Sequence, residues 1–247
     1  MQTPSELELE PINSRFQITQ AKIEESCNKI SRTCEDVKLI VVTKGQPPEK
    51  ISAVIKAGAK HIGENYPEET VGKMKEIETG LLQGVSWHMI GHLQSRKIPL
   101  LIQGFDYFHA LDSLKLAFKL SNRIQVEQLQ PIPVLLQYNV SGEEDKYGFQ
   151  AWDQTRWGDL LDGVNTMRSL PGIHIIGLMT MPPFTQEVGK NRVYFERLRL
   201  LRDYLVSQFW SLSLPELSMG TSQDYQDAIF EGATYLRIGT EIMGSRK

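Results

Sequence analysis

Cysteine is scarce: the 247 residues contain two, Cys27 and Cys34. That excludes the disulfide framework of a small secreted domain, and no Cys/His spacing of a metal site accompanies them. The pair stands seven apart in what reads as one helix, and helical cysteines two turns apart cannot be bridged. An excess of charge of one sign is also missing. Lys and Arg number 27 against 30 Asp and Glu, a net charge of −3 with a pI near 6.0. No basic face is implied, so nucleic acid is not an expected partner. No apolar run approaches the roughly 20 residues that span a membrane. The acidic start, Met1 to Glu10, lacks the apolar centre of a secretory signal. Together these absences point to a cytoplasmic protein without a membrane partner.

What is present is rhythm. Residues 1–12 read as a flexible lead-in. A helix follows, with Phe16, Ile23, Cys27, Ile30 and Cys34 on one stripe that Gln20 interrupts. Eight strand-like runs then appear, near residues 37–43, 59–63, 86–90, 105–110, 132–140, 173–179, 215–219 and 234–238. Helical patterns fill the gaps, one marked by Ile51, Val54 and Ile55 and another by Leu198, Leu201, Tyr204 and Leu205. Strands alternating with helices predict parallel βαβ units, and eight such units in this length predict a single (β/α)8 barrel over residues 13–247, with an additional N-terminal helix outside it. The alternative is an open doubly wound sheet. It calls for a glycine-rich turn after the first strand, which Thr43-Lys44-Gly45-Gln46-Pro47 does not supply.

In such a barrel the chemistry sits at the C-terminal ends of the strands. The first strand ends in Lys44. A lysine drawn into an apolar strand end is a nucleophilic amine that can form a Schiff base with an aldehyde; the plainer alternative is a side chain that snorkels to water. Ser218-Met219-Gly220-Thr221-Ser222 and Gly239-Thr240 fall after the seventh and eighth strands, where these barrels commonly bind phosphate. Small residues admit backbone N–H groups to an anion and hydroxyls add donors. The alternative there is a pair of ordinary helix caps. Arg237 shares a face with Tyr235 and Gly239. It is either the cation of a core ion pair, with Glu241 or a carboxylate across the barrel, or the partner of a cofactor's ring nitrogen. His88 and His92 read as hydrogen-bonded structural histidines, Arg96 and Lys97 as solvated, and Trp87 and Trp152 as packing residues.

These segments, taken in order, resemble the pyridoxal 5′-phosphate homeostasis proteins, barrels similar to the N-terminal domain of alanine racemase. The resemblance runs from about Leu39 to Gly244. It rests on Val42-Thr43-Lys44, Gly63-Glu64-Asn65, Trp87-His88-Met89-Ile90-Gly91-His92-Leu93-Gln94-Ser95, Lys146-Tyr147-Gly148-Phe149, Gly177-Leu178-Met179-Thr180-Met181, Ser218-Met219-Gly220 with Ser222 and Asp224, and Arg237-Ile238-Gly239-Thr240. It implies that Lys44 carries pyridoxal 5′-phosphate as an internal aldimine. Ser218, Gly220, Ser222, Gly239 and Thr240 would hold the phosphate, Arg237 would face the pyridine nitrogen, and Asn65 would lie near the ring. Arg96, Thr221 and Met243 depart from the family's usual Asn, Met and Phe, which touches the rim of the pocket.

The implied function is a non-catalytic carrier, a monomer that buffers the cofactor or delivers it to pyridoxal-phosphate-dependent apoenzymes and so influences amino-acid and keto-acid metabolism. An arginine is always protonated and would keep the ring nitrogen unprotonated, a weak electron sink. The alternative is an amino-acid racemase, which needs a second acid/base opposite Lys44. In alanine racemase a further domain presents it, and the chain's end at Lys247 leaves no room for one; Tyr147 and Tyr235 are the substitutes at hand. A third reading is a Schiff-base aldolase acting on a sugar phosphate.

Overall fold

A computed structural model describes residues 6–185, 187 and 189–244. Each apolar run becomes a strand: β1 (Lys38–Val42), β2 (His61–Glu64), β3 (Ser86–Met89), β4 (Tyr107–Leu111), β5 (Ile132–Asn139), β6 (Ile173–Met179), β7 (Glu216–Thr221) and β8 (Tyr235–Ile238). Every neighbouring pair is parallel, and β8 returns to β1 with Ile40 opposite Arg237. That last pairing closes the barrel and excludes the open sheet. A further two-residue strand, Phe149–Gln150, pairs with the end of β5 beyond the barrel proper.

The helices are α1 (Glu6–Asn28), α2 (Pro48–Lys56), α3 (Pro67–Glu76), α4 (Thr79–Leu82), α5 (Ile98–Gly104), α6 (Leu114–Val126), α7 (Leu161–Arg168), α8 (Arg192–Gln208), α9 (Tyr225–Phe230) and α10 (Thr240–Met243). Proline opens α2 and α3, where its missing N–H costs nothing. Apolar packing divides in two. A large cluster fills the space between barrel and helices, and a small one of Ile40, Leu135, Met179 and Tyr235 lies inside the barrel. The barrel interior also buries the polar side chains of His88, His109, Ser218 and Arg237.

Two expectations about the first helix change. Of the lead-in expected over residues 1–12, residues 6–12 belong to α1, and residues 1–5 lie outside the described residues. Ile12 is fully buried, so the apolar stripe begins before Phe16. At the point where Gln20 interrupts it, the buried seam passes instead through Thr19, whose hydroxyl is satisfied by the Arg15 carbonyl at 2.8 Å. Cys34 is not in that helix. It opens a separate 3-10 turn, Cys34–Asp36, and both cysteines are free thiols. α1 packs on the outside of the barrel against α2, α9 and α10. Arg15 donates to the Ile242 carbonyl at 2.6 Å and Lys22 pairs with Glu241 at 2.7 Å.

Candidate cofactor site

A cavity of about 870 Å³ opens at the C-terminal ends of the strands. Lys44, Asn65, Ser222, Arg237, Gly239 and Thr240 line it together, as do Val42, His92, Lys97 and Tyr147. Its size is that of a small-molecule site.

Lys44 follows β1 in the tight turn Thr43-Lys44-Gly45, where Gly45 takes φ 69°, a conformation that glycine adopts without strain. The turn is braced from beneath. The Thr43 hydroxyl donates to Glu64 Oε1 at 2.7 Å, and Lys73 Nζ donates to the same oxygen at 3.0 Å and to the Thr43 carbonyl at 3.2 Å. Glu69 pairs with Lys73 at 2.5 Å and accepts the Gly45 N–H at 3.2 Å. Glu64 and Lys73 are buried; burial pushes the Glu64 carboxyl up, and Lys73 and Thr43 pull it back down.

Across the mouth stands Arg237. Its Nη1 donates to Ser218 Oγ at 2.6 Å, and its Nη2 to the Thr180 carbonyl at 2.8 Å and to Met181 Sδ at 2.9 Å. Among the described residues no carboxylate pairs with it, and Glu241, its suggested partner, binds Lys22 instead. Burial pushes Arg237 down to about 10, with Asp224 opposing, so it stays charged near neutrality.

The loops after β7 and β8 meet where Gly239 donates its N–H to Ser222 Oγ at 3.3 Å. Asp224 shapes the first loop by accepting from the Thr221 N–H at 2.6 Å, the Thr221 hydroxyl at 2.9 Å and Asn191 Nδ2 at 2.7 Å. A Cβ on Gly239 would come within 3.3 Å of the Val42 carbonyl and Cβ, so a larger residue would crowd that wall.

Not every expected residue reaches the mouth. Ser218 is fully buried, its hydroxyl engaged by Arg237 and by His109, and it does not line the cavity. Gly220 sits at φ 90° against α9, where a Cβ would meet Ala228 at 2.7 Å; it admits the helix rather than lining the cavity. Tyr235 is buried among histidine rings inside the barrel, while Tyr147 stands at the rim, stacked on His92 at 4.1 Å. His92 also bonds Asp112 at 2.7 Å. Lys97 is not simply solvated but ion-paired with Glu68 on the cavity wall. Trp87 is core, whereas Trp152 is half exposed.

Several residues escaped the sequence reading: the brace of Glu64, Glu69 and Lys73, the loop carboxylate Asp224 as a shaping group, and His61 and His109. Three histidines in three consecutive apolar strands were the available signal.

The residues present fit a flat phosphorylated ring. Asn65 Oδ1 is buried without a hydrogen-bond partner, an acceptor that a ligand donor would satisfy. Gly91 lets Asn65 in, since a Cβ there would lie 2.9 Å from the Asn65 Cα. An always-charged guanidinium and a lysine flank the same cavity, with hydroxyls and backbone N–H groups at one end.

Comparison with known proteins defines the class first. Residues 18–247 match the family model described as alanine racemase, N-terminal domain. Relatives named pyridoxal phosphate homeostasis protein are 35% identical over 226 residues in Aquifex aeolicus, covering 92% of this chain and 94% of that one, and 37% identical over 227 residues in Pseudomonas aeruginosa, covering 92% of each. The chain belongs to the pyridoxal phosphate homeostasis protein family. Among solved structures, PipY of Synechococcus elongatus with PLP bound superposes with a TM-score of 0.76 at 33% identity, covering 90% of this chain and 100% of that one. An alanine racemase of Corynebacterium glutamicum shares the fold, with a TM-score of 0.65 at 14% identity over 95% of this chain and 60% of that one.

Proposed function

We propose that this protein binds pyridoxal 5′-phosphate, with residues 13–247 serving as one cofactor-binding domain, and acts in its homeostasis by holding, buffering and delivering it. Lys44 holds the aldehyde carbon as a Schiff base. Ser222, Gly239 and Thr240 receive the phosphate, Asn65 the ring edge and Arg237 the ring nitrogen; Ser218 serves at one remove, through Arg237. When bound, the group supplies an electrophilic aldehyde and an electron-withdrawing ring. The observation that carries the reading is the sharing of one cavity by Lys44, Arg237 and the two hydroxyl-bearing loops.

The carrier role, as against catalysis, is supported by how Arg237 is held. Its partners are a hydroxyl, a carbonyl and a thioether, so its charge persists and it can only donate. A ring nitrogen facing it stays unprotonated and draws electrons weakly. Tyr235 is no substitute acid/base, because burial pushes its hydroxyl well above the ordinary tyrosine range and it packs beneath the mouth. The racemase reading keeps one favourable observation, the His92–Asp112 pair beneath Tyr147 on the cavity wall.

Residence in the cytoplasm is supported by the two free cysteines. Supply of apoenzymes by a monomer completes the reading. Borohydride reduction of the loaded protein and peptide mass mapping test the site: a pyridoxyl group on Lys44 is expected, and one on any other lysine would refute the assignment. Racemisation assays over a panel of amino acids test the carrier role. Turnover that persists through repurification and vanishes in Lys44→Ala would establish an enzyme. Sedimentation velocity checks the monomer.

A further inference from the structure

The barrel interior holds a buried hydrogen-bonded line whose three histidines have no part in the proposed function. It starts at Arg237, whose Nη1 donates to Ser218 Oγ at 2.6 Å. The same Oγ lies 2.9 Å from His109 Nδ1. His109 Nε2 lies 2.9 Å from His88 Nδ1, and His88 Nε2 lies 3.0 Å from His61 Nδ1. The line crosses β8, β7, β4, β3 and β2. Its inner members Ser218, His109 and His88 are fully buried, and His61 is half-buried. Tyr235 packs against all three imidazoles and Tyr107 stacks on His88 at 4.5 Å, so the rings have little freedom to turn.

The direction of this line follows from its head. A guanidinium only donates, so Ser218 Oγ accepts from Arg237. The serine hydrogen then needs an acceptor, and His109 Nδ1 is the other polar atom within reach. An accepting Nδ1 makes His109 the tautomer with hydrogen on Nε2. That hydrogen points to His88 Nδ1, which makes His88 the same tautomer, and its hydrogen points to His61 Nδ1. Reversed, the line would place two donors on Ser218 Oγ and strand a buried hydroxyl hydrogen. Burial, reinforced by neighbouring cations, pushes His88 and His109 well below the ordinary histidine range, consistent with two neutral rings that each give one hydrogen bond and take one.

We infer that His109, backed by His88 and His61, is a positioning residue for Arg237: through Ser218 it fixes the guanidinium at the cofactor ring with neutral acceptors in place of a counter-ion. The positioning half rests on the cofactor reading above; the direction of the line does not. Arg237 is thereby held from below at Nη1 and from the side at Nη2, with its charge unspent.

Two measurements test this. The first uses cofactor-free protein labelled with nitrogen-15 and long-range imidazole spectra near pH 7, with His88→Gln and His109→Gln for assignment. Both rings are expected neutral with hydrogen on Nε2. A hydrogen on Nδ1 of either ring, or a charged ring, overturns the line. The second is the calorimetric affinity for a pyridoxal phosphate analogue with a methyl group in place of the aldehyde, which makes no covalent bond to Lys44. His109→Leu is expected to weaken binding about tenfold through the unsatisfied serine. His109→Gln, whose amide can accept from Ser218 and donate to His88, should recover wild-type affinity within about twofold. Unchanged affinity in folded His109→Leu overturns the positioning role; should that variant lack the wild-type circular dichroism, Ser218→Ala decides by the same criterion. Failure of the wild type to bind the analogue would overturn the positioning role together with the cofactor reading, whereas a wrong tautomer overturns the line alone.

Discussion

The two walls of the cavity are built on opposite plans. On the β1–β2 wall, the turn carrying Lys44 rests on buried ions, with Lys73 between Glu64 and Glu69 and the Thr43 hydroxyl on Glu64. On the β7–β8 wall, Arg237 donates only to neutral acceptors, and Asp224 acts on it without pairing with it. The ions on the first wall hold main chain, and their charges are spent on one another. In the proposed function the cation on the second wall is itself the working group, and a carboxylate paired with it would cancel the charge it presents. A protein can afford a counter-ion where it needs geometry, but not where it needs a field.

This contrast can be broken by measurement. The largest effect is expected from Lys73→Met, which strands the buried Glu64 carboxylate; denaturant unfolding should show a loss of about 3–5 kcal/mol. A cost no greater than that of Ser218→Ala would erase the distinction between the walls. Next is pH. His88 and His109 have depressed folded-state values because they are buried. The unfolded chain therefore binds protons that the native state refuses. The stability they contribute is complete above about pH 6.5 and falls by about 2–3 kcal/mol per pH unit below it, roughly 1.4 for each ring. His109→Gln should lower the slope by roughly 1.4 kcal/mol per pH unit in unfolding curves taken across this window, and an unchanged slope would mean that His109 is already charged in the native state. Ser218→Ala should cost about 1–2 kcal/mol, since it leaves a buried donor and an imidazole nitrogen unmatched. The smallest effect is expected from Glu69→Gln, at the exposed edge of the first wall, where thermal unfolding should report a loss of less than about 1 kcal/mol.

Much of the fold was legible because eight apolar runs spaced by helical patterns leave few alternatives. β1 to β8 all fall within or beside the expected runs, and the position of Lys44 followed from where β1 stops. Lys44, Gly239 and Thr240 could be placed at one cavity because they follow the ends of β1 and β8, which the closed barrel sets side by side. Ser218 misled. By alternation it shares a side with Gly220 and Ser222, but the pairing of β7 with β8 shifts register between Ser218 and Thr221, and Ser218 sits deeper in the barrel than the loop. The ionic brace was hidden because Glu64 and Lys73, only nine positions apart, meet through the turn from β2 into α3, which neither strand nor helix periodicity describes. Residues 6–12 looked like a tail because three glutamates among them leave no apolar run, and the burial of Ile12 becomes visible only in the folded protein.

The tie between α1 and α10 has a consequence for the order of folding. Arg15 and Lys22 grip Ile242 and Glu241, and α10 begins at the loop that meets Ser222. β1 likewise finds its second neighbour only in β8. The α1–α10 contacts join residues more than two hundred positions apart and the β1–β8 pairs nearly as many, the slowest kind for a chain to make. A ribosome-bound chain lacking β8 and α10 has a lysine turn but no opposite wall, so the competence to capture a ligand is expected to arrive at the final step of folding. Pulse-labelled hydrogen exchange during refolding should show α1, β8 and α10 gaining protection together and last; early protection of α1 alone would uncouple the two.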